Sequence, residues 1–321
     1  YLDVVAAFAE GWRGSDLPVI VGGRFGIGGK EFHPGMVRAI FEELARSDPK
    51  NHFTIGIVDD QCDTHLEYDE DFAVELDTVH AAIFYGLGAD GTVGANKNTI
   101  KIIGDDPRFH VQAYFLYDSK KSGSQTVSHL RFGPEPIRST YLVRSAQFIG
   151  CHVFGFLEKV DVLGRAREGA TLLLNTAFGP DEVWDHLPRT VQQQLIEKRI
   201  ALYVIDATKV AKDTGMRSHT NTILQTCYFA ISGLMPREQA IAKIKHAIES
   251  TYRRKGREVV EKNFDAVDRT LANLHRVDLP TRVDEAAPAP EPQRVNLDKA
   301  PEFIRQVTAR IIAGEGEALP T

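Results

Sequence analysis

His80-Ala81-Ala82-Ile83-Phe84-Tyr85 runs directly into Gly86-Leu87-Gly88-Ala89-Asp90-Gly91-Thr92-Val93-Gly94-Ala95-Asn96-Lys97, and then into Asn98-Thr99-Ile100-Lys101-Ile102-Ile103. The apolar run reads as a short buried strand, the glycines as a turn, and the last segment as a helix that begins inside that turn. Such a unit turns backbone N–H groups and the positive end of a helix dipole toward one spot, which is the chemistry of a phosphate cradle. Gly86, Gly88 and Gly91 have dinucleotide-type spacing, and Gly94, Asn96 and Lys97 extend it. A cation such as Lys97 near a helix start works against the dipole unless an anion sits there too. Glycines also serve tight turns and close helix–strand packing, so a structural use stands beside the phosphate reading.

Upstream of this stretch, Leu2, Val5, Ala6 and Ala9 share one face of a short helix, and Pro18-Val19-Ile20-Val21 reads as a buried strand. The glycine-rich run Gly22 to Lys30 follows it, but the next helix begins only near His33-Pro34, too late for a phosphate turn, so a structural loop is expected. Met36, Val37, Ile40, Phe41 and Leu44 form an amphipathic stripe, and Phe53 to Val58 reads as the next strand. A strand, a helix and a strand without room for a hairpin imply a crossover and parallel pairing. Asp59, Asp60 and Asp63 near His65 read as solvated or capping groups rather than a metal cluster.

Downstream, Val111 to Tyr117 reads as a strand, with Asp118-Ser119-Lys120-Lys121-Ser122-Gly123 at its carboxyl end. An acid flanked by two lysines and small hydroxyl residues favours a ligand with an additional phosphate, and an exposed basic turn is the alternative. His129, in the strand Gln125 to Phe132, has no nearby group to orient it as a general base, so a hydrogen-bonding or solvent-facing role is expected. Ile137 to Val143 and Gly150 to Phe156 read as strands. Ala170 to Asn175 is an apolar strand that delivers Asn175 and Thr176 to the sheet's carboxyl edge, and Ile200 to Ile205 reads as the last strand. Asp181, Trp184 and Leu187 suit a short helix, Asn221 to Leu234 a buried one, and two amphipathic helices follow Pro236. Ala286 to Pro292 reads as an extended linker and Glu302 to Ile312 as a further helix.

With 321 residues, 43% of them hydrophobic, the chain can bury more than one core. A net charge of −6 and scattered basic residues argue against a nucleic-acid surface. Cys62, Cys151 and Cys227 lie far apart, which suits a reducing cytoplasm and supplies too few thiolates for a four-cysteine cluster. No apolar stretch approaches the roughly 20 residues that span a bilayer, so a soluble cytoplasmic protein without membrane partners is expected. The missing methionine at Tyr1 suggests a piece of a longer polypeptide.

The glycine stretch, continued through Asn98 and Ile100 to Gly104, closely resembles the central part of single-chain pyruvate:ferredoxin (flavodoxin) oxidoreductases. Tyr117 to Gly123, Val127 to Gly133 and Asn175-Thr176 agree with it, and the resemblance extends from about Pro18 to about Pro280. It implies an α/β chain: residues 1–70 ending a transketolase C-terminal-like domain, a linker at 71–78, a Rossmann-like gamma-type domain with an open, mostly parallel sheet at 79–278, and residues 279–321 leading into the next domain. Members convert pyruvate, a 2-oxo acid, and CoA to acetyl-CoA and carbon dioxide, passing electrons through thiamine diphosphate with magnesium and 4Fe–4S clusters to ferredoxin or flavodoxin. The resemblance implies that these cofactors are bound by the remaining domains of a homodimeric parent enzyme, that this fragment is inactive alone, and that it carries no catalytic residue. The gamma-type domain is associated with CoA. The positions carried over for it are Gly88, Gly91, Thr92, Gly94, Asn96 and Lys97 in the first loop and Lys120, Lys121 and Ser122 in the second. A stand-alone NAD(P)-binding dehydrogenase domain and a purely structural spacer are the competing classes.

Overall fold

Two separate sets of parallel strands organise the chain. In a computed structural model, which describes residues 1–25, 31–57, 61–117, 124–216, 219–283, 300–312 and 319, the chain divides into two units. One comprises Tyr1–Glu75, Thr140–Leu142 and Val295–Thr321, and the other Leu76–Ser139 and Val143–Arg294.

The first unit contains α1 (Leu2–Gly11), β1 (Gly23–Phe25), α2 (Pro34–Leu44), β2 (Phe53–Ile55) and β3 (His65–Leu66), with the strands in the order β1-β2-β3, all parallel. The β1–α2–β2 order and its parallel pairing follow the sequence reading. The strand expected at Pro18–Val21 is instead Gly23–Phe25: Val19 is 81% exposed and cannot be a core strand residue. α2 starts at Pro34 behind His33, whose Nδ1 accepts the Gly35 N–H at 3.2 Å, so the ring caps a helix whose first residue lacks a donor. The core of this unit is small, built on Met36, Ala39, Phe53, Ile55 and Leu66, and α1 buries none of its residues.

The second unit is a seven-stranded sheet in the order β10-β9-β8-β7-β4-β6-β5. Its strands are β4 (His80–Leu87), β5 (His110–Tyr117), β6 (Gln125–Gly133), β7 (Ala146–Cys151), β8 (Ala166–Asn175), β9 (Ala201–Ile205) and β10 (His275–Arg276). β4, β7, β8 and β9 form a continuous parallel centre. β6 runs against both β4 and β5, and β10 runs against β9. The chain therefore leaves β4 through α3 (Thr92–Gly104) to the outer strand β5, returns in β6, and only then crosses to the other side of β4 as β7. That reversal makes the carboxyl ends of β4 and β7 the switch point of the sheet, where open α/β folds leave a crevice.

Helices cover both faces. α4 (Val183–His186) and α5 (Arg189–Glu197) pack on one with Ile83, Ile149 and Leu172. On the other, α3, α6 (Ala207–Asp213), α7 (Asn221–Ile231), α8 (Arg237–Tyr252) and α9 (Arg257–Thr270) pack with Phe84, Phe148 and Leu173. α7 is the central helix, as its strongly apolar sequence predicts, with every residue from Thr222 to Phe229 buried, the polar Thr222, Gln225 and Thr226 included. Its Tyr228 ring meets Phe148 and Phe84 edge-on, with centroids 4.7 and 5.1 Å apart.

Three further strand expectations differ from the structure. Residues 137–143 form no strand, and β7 begins at Ala146, where the pairing with Ala166 of β8 starts and continues through Phe148 to Cys151. β7 ends at Cys151, and Phe154–Glu158 is a single 3-10 turn that buries Phe156 and Leu157. The last strand is the two-residue β10, too short to leave a periodic signal.

Leu173 is fully buried between α7 and the sheet, whereas Leu2 is 77% exposed. Leu173→Ala should lower the unfolding free energy by about 2–5 kcal/mol and Leu2→Ala by less than about 0.5 kcal/mol, read from urea titrations. Similar losses from the two would contradict the assignment of the principal core to the seven-stranded sheet.

Candidate functional site

The turn between β4 and α3 is held by the Asp90 side chain and by the carbonyl of Ser124. Gly88 N–H donates to the Ser124 carbonyl at 2.7 Å. The Asp90 carboxylate accepts the N–H groups of Leu87 and Thr92, each at 2.7 Å, which holds the turn closed over the strand end. Ala89 and Gly91 have φ of +75° and +91°, and Gly91 is the helix N-cap in the left-handed region. A side chain at Gly91 would be strained there and would also meet Asn221 Cβ at 3.2 Å. At Gly86 the constraint is distance: a Cβ would lie 2.5 Å from Thr92 Oγ1, so only glycine lets the helix start rest on the strand.

Intrahelical bonding begins with Ala95 N–H to the Gly91 carbonyl at 3.0 Å. Asp90 takes the Thr92 amide, so the amides of Val93 and Gly94 are left without a partner among the described residues. α7 starts beside this point, with Asn221 against Gly91, and the two helices run in the same direction. Gln225 Nε2 fixes their register by donating to Ala95 O at 3.1 Å and Thr99 Oγ1 at 2.9 Å. Two positive helix ends thus converge, an arrangement that an anion relieves.

The carried-over side chains separate onto different faces of α3. Thr92 is buried with Oγ1 2.7 Å from His152 Nδ1. Asn96 is 4% exposed and turned inward, its Nδ2 without a partner among the described residues. Gly94 is open, with nothing within 4 Å of its missing side chain, and borders a cleft between α3, α7 and α8 of about 320 Å³ that Lys101, Asn221 and Thr251 also line. Lys97 lies on the β5 side, its exposed ammonium 5.4 Å above the Phe115 ring. The structure therefore brings Gly86, Gly88, Gly91 and Thr92 into one turn, while Gly94 and Lys97 flank the helix start from opposite sides. Asp118, Lys120, Lys121 and Ser122 lie outside the described residues, as do Gly26 to Lys30 and Asp59 and Asp60. Asp63 is surface-exposed and 3.5 Å from His65 Nδ1.

A hydrogen-bonded line continues along the sheet's carboxyl edge. His152, directly after β7, donates its N–H to Tyr85 O at 2.9 Å, and its carbonyl accepts Asn175 Nδ2 at 3.0 Å. Asn175 Oδ1 accepts the Ala207 N–H at 3.0 Å where α6 begins, and Thr176 Oγ1 accepts the Phe178 N–H at 3.1 Å. The Asn175-Thr176 pair is at the edge as its sequence position indicates, with its bonds used inside the fold. His152 is the residue that the sequence reading missed. Its signal is a histidine ending an apolar strand, hidden when that strand is drawn on to Phe156.

Burial holds the His152 imidazole down at about 4, against a small opposing effect from Asp90, so the ring is neutral at pH 7. His129 is 3% exposed within the sheet, which corrects the solvent-facing expectation, and burial followed by Arg165 and Arg131 lowers it to about 3. His80 is lowered to about 4 by burial alone. Cys151 and Cys227 are fully buried at separate places, and burial pushes the Cys151 thiol up to about 12 and raises that of Cys227 further. These thiols do not suit cluster ligation, and among the described residues no three His, Cys, Asp or Glu side chains are grouped for a metal ion. No helix among the described residues is long and apolar enough to cross a membrane.

Known proteins match this architecture. The profile of the Pyruvate ferredoxin/flavodoxin oxidoreductase family covers residues 81–272. A pyruvate-flavodoxin oxidoreductase of Nostoc sp. is 53% identical over 335 aligned residues, spanning 100% of this chain and 28% of the relative. One from Rhodospirillum rubrum is 53% identical over 325, spanning 100% of this chain and 27% of the relative. The chain thus spans about a quarter of the length of these relatives. Among solved structures, pyruvate oxidoreductase subunit PORC of Thermotoga maritima aligns with a TM-score of 0.51 at 18% identity, over 63% of this chain and 99% of that one, a likeness of fold.

The buried neutral histidines set a pH dependence. Their folded pKa values lie below the ordinary 6.5, so the unfolded chain binds more protons between about pH 6.5 and 4. Stability is full above that window and falls as pH drops through it, by up to about 1.4 kcal/mol per pH unit for each histidine. Urea titrations at pH 7, 6 and 5 should show this decline, with a shallower slope in His152→Asn; an unchanged slope would contradict neutral burial of His152.

Proposed function

The chain belongs to the pyruvate ferredoxin/flavodoxin oxidoreductase family, and from that membership we propose that it is the central portion of a 2-oxo acid oxidoreductase that turns pyruvate and CoA into acetyl-CoA and carbon dioxide. In this reading residues 1–70 end a transketolase C-terminal-like domain, and residues 79–278 are a gamma-type domain that binds CoA. The observation that carries the reading is the start of α3: free amides at Val93 and Gly94, a left-handed Gly91, and a second helix start alongside. These groups suit the CoA diphosphate.

Gly88 and Gly91 shape the turn, Thr92 holds the helix start to the sheet edge through His152 with Asn96 buried beneath the helix, Gly94 leaves room for the ligand, and Lys97 supplies charge from the β5 side. Lys120, Lys121 and Ser122, which follow β5 in the chain, are assigned to the 3′-phosphate. The role of this chain is thus to bind and orient the acyl acceptor. Thiamine diphosphate with magnesium and 4Fe–4S clusters, held by other domains of a homodimeric parent enzyme, would supply decarboxylation and the two-electron oxidation that serves ferredoxin or flavodoxin.

Calorimetry on the full 321-residue chain tests the assignment. A charge-assisted bond contributes about 1.5–3 kcal/mol, so Lys97→Ala should weaken CoA binding about tenfold or more. Combined Lys120→Ala and Lys121→Ala should weaken CoA far more than dephospho-CoA. Absence of CoA binding, or tighter binding of NADP than of CoA, would overturn the reading.

A further inference from the structure

The two edges of the seven-stranded sheet are built differently. β10 closes one with only two residues, His275 and Arg276, and so short a strand offers little for another chain to pair with. β5 closes the other with eight residues, paired to β6 in unbroken register from His110 to Tyr117. On its outer side, the backbone N–H and C=O groups of alternate residues have no partner among the described residues. Soluble proteins guard a long edge of this kind with a charge, a proline or a bulge. β5 has no Lys, Arg, Asp, Glu or Pro, and its pairing with β6 contains no bulge. None of its residues is buried, and Tyr114, Leu116 and Tyr117 are 36%, 43% and 59% exposed.

We propose that β5 is a docking edge for a second copy of this chain, the two β5 strands pairing antiparallel about a two-fold axis perpendicular to the sheet. This inference goes beyond the CoA reading and does not rest on it. Three features choose a copy over a foreign strand. β4, β6 and β5 alternate in direction, so a two-fold-related β5 continues the alternation across the join. A strand without charged side chains lies against its own copy without like-charge repulsion. The side chains also match in size. Val111, Ala113 and Phe115 pack on the α3 side of the sheet, and Gln112, Tyr114 and Leu116 alternate to the other side. With the axis through Tyr114, Ala113 lies opposite Phe115 of the second copy, Val111 opposite Tyr117, Gln112 opposite Leu116, and the two Tyr114 rings meet. Each pair shares a face, and small residues stand against large ones. The contact is a strand edge rather than a broad surface, so it belongs to the small, weak class of interface.

Sedimentation velocity on the full chain, from about 1 to about 200 µM, spans the range in which a weak interface associates. The native chain should pass from monomer to dimer as its concentration rises. Tyr114→Lys sets two ammonium groups opposite each other, and Leu116→Lys puts a charge into the paired edge. Both variants should stay monomeric throughout, with urea midpoints near the native value because the replaced side chains are more than a third exposed. Phe41→Lys, which removes a 69% exposed ring from α2, should leave the association unchanged. Amide hydrogen exchange on the native chain gives a second reading: residues 110–117 should exchange more slowly as concentration rises, and residues 275–276 should not change. A chain that is monomeric at every concentration would overturn the proposal. So would dimers that survive the lysine variants at 114 and 116, dimers lost in Phe41→Lys, or exchange at 110–117 that is independent of concentration.

Discussion

The hydrogen bond between Thr92 and His152 joins the two strand ends from which the chain departs in opposite directions. Thr92 opens the helix that carries the chain from β4 toward β5, and His152 directly follows β7 on the other side of β4. A 2.7 Å contact between them requires the helix start to lie directly on the sheet edge, and Gly86 is the residue that permits this. From His152 the same line of bonds passes to Asn175 and to the first amide of α6, so the ends of β4, β7, β8 and β9 are tied into one edge. The α3 amides are thereby aimed by a fixed scaffold, which is the condition for binding an anion without reorganising.

The electrostatics of that edge come from backbone more than from side chains. α3 and α7 begin side by side, Gln225 locks their register, and the Asp90 carboxylate, held by two turn amides, sets its own negative charge against the positive helix ends. Lys97 adds charge from the β5 side, away from the Gly94 cleft. Cys151 and Cys227 lie deep in the fold, where burial raises their pKa values and keeps them as thiols.

Much of this was legible in the sequence, and the exceptions have physical causes. The β4–turn–α3 unit was readable because a strand, a left-handed turn and a helix start each leave local marks: apolar residues from Ala81, glycine at 91, and amphipathic spacing after it. α7 was readable from its strongly apolar composition. The insertion of β6 between β4 and β5 was not, since strand neighbours depend on long-range pairing that no local pattern records. Nor was the inward turn of Thr92 and Asn96, because glycine spacing identifies a helix start without giving its rotation about its axis. His152 escaped because its significance lies in a partner 60 residues earlier.

The central claim is that the first free amides of α3 hold the ligand's phosphates. The most direct measurement is the amide NMR spectrum of the isotope-labelled chain during a CoA titration. The account predicts that the Val93 and Gly94 signals shift first and most, with smaller changes at the start of α7 and none in the β1-β2-β3 sheet. Saturable CoA binding that leaves Gly91 to Gly94 unperturbed would contradict it.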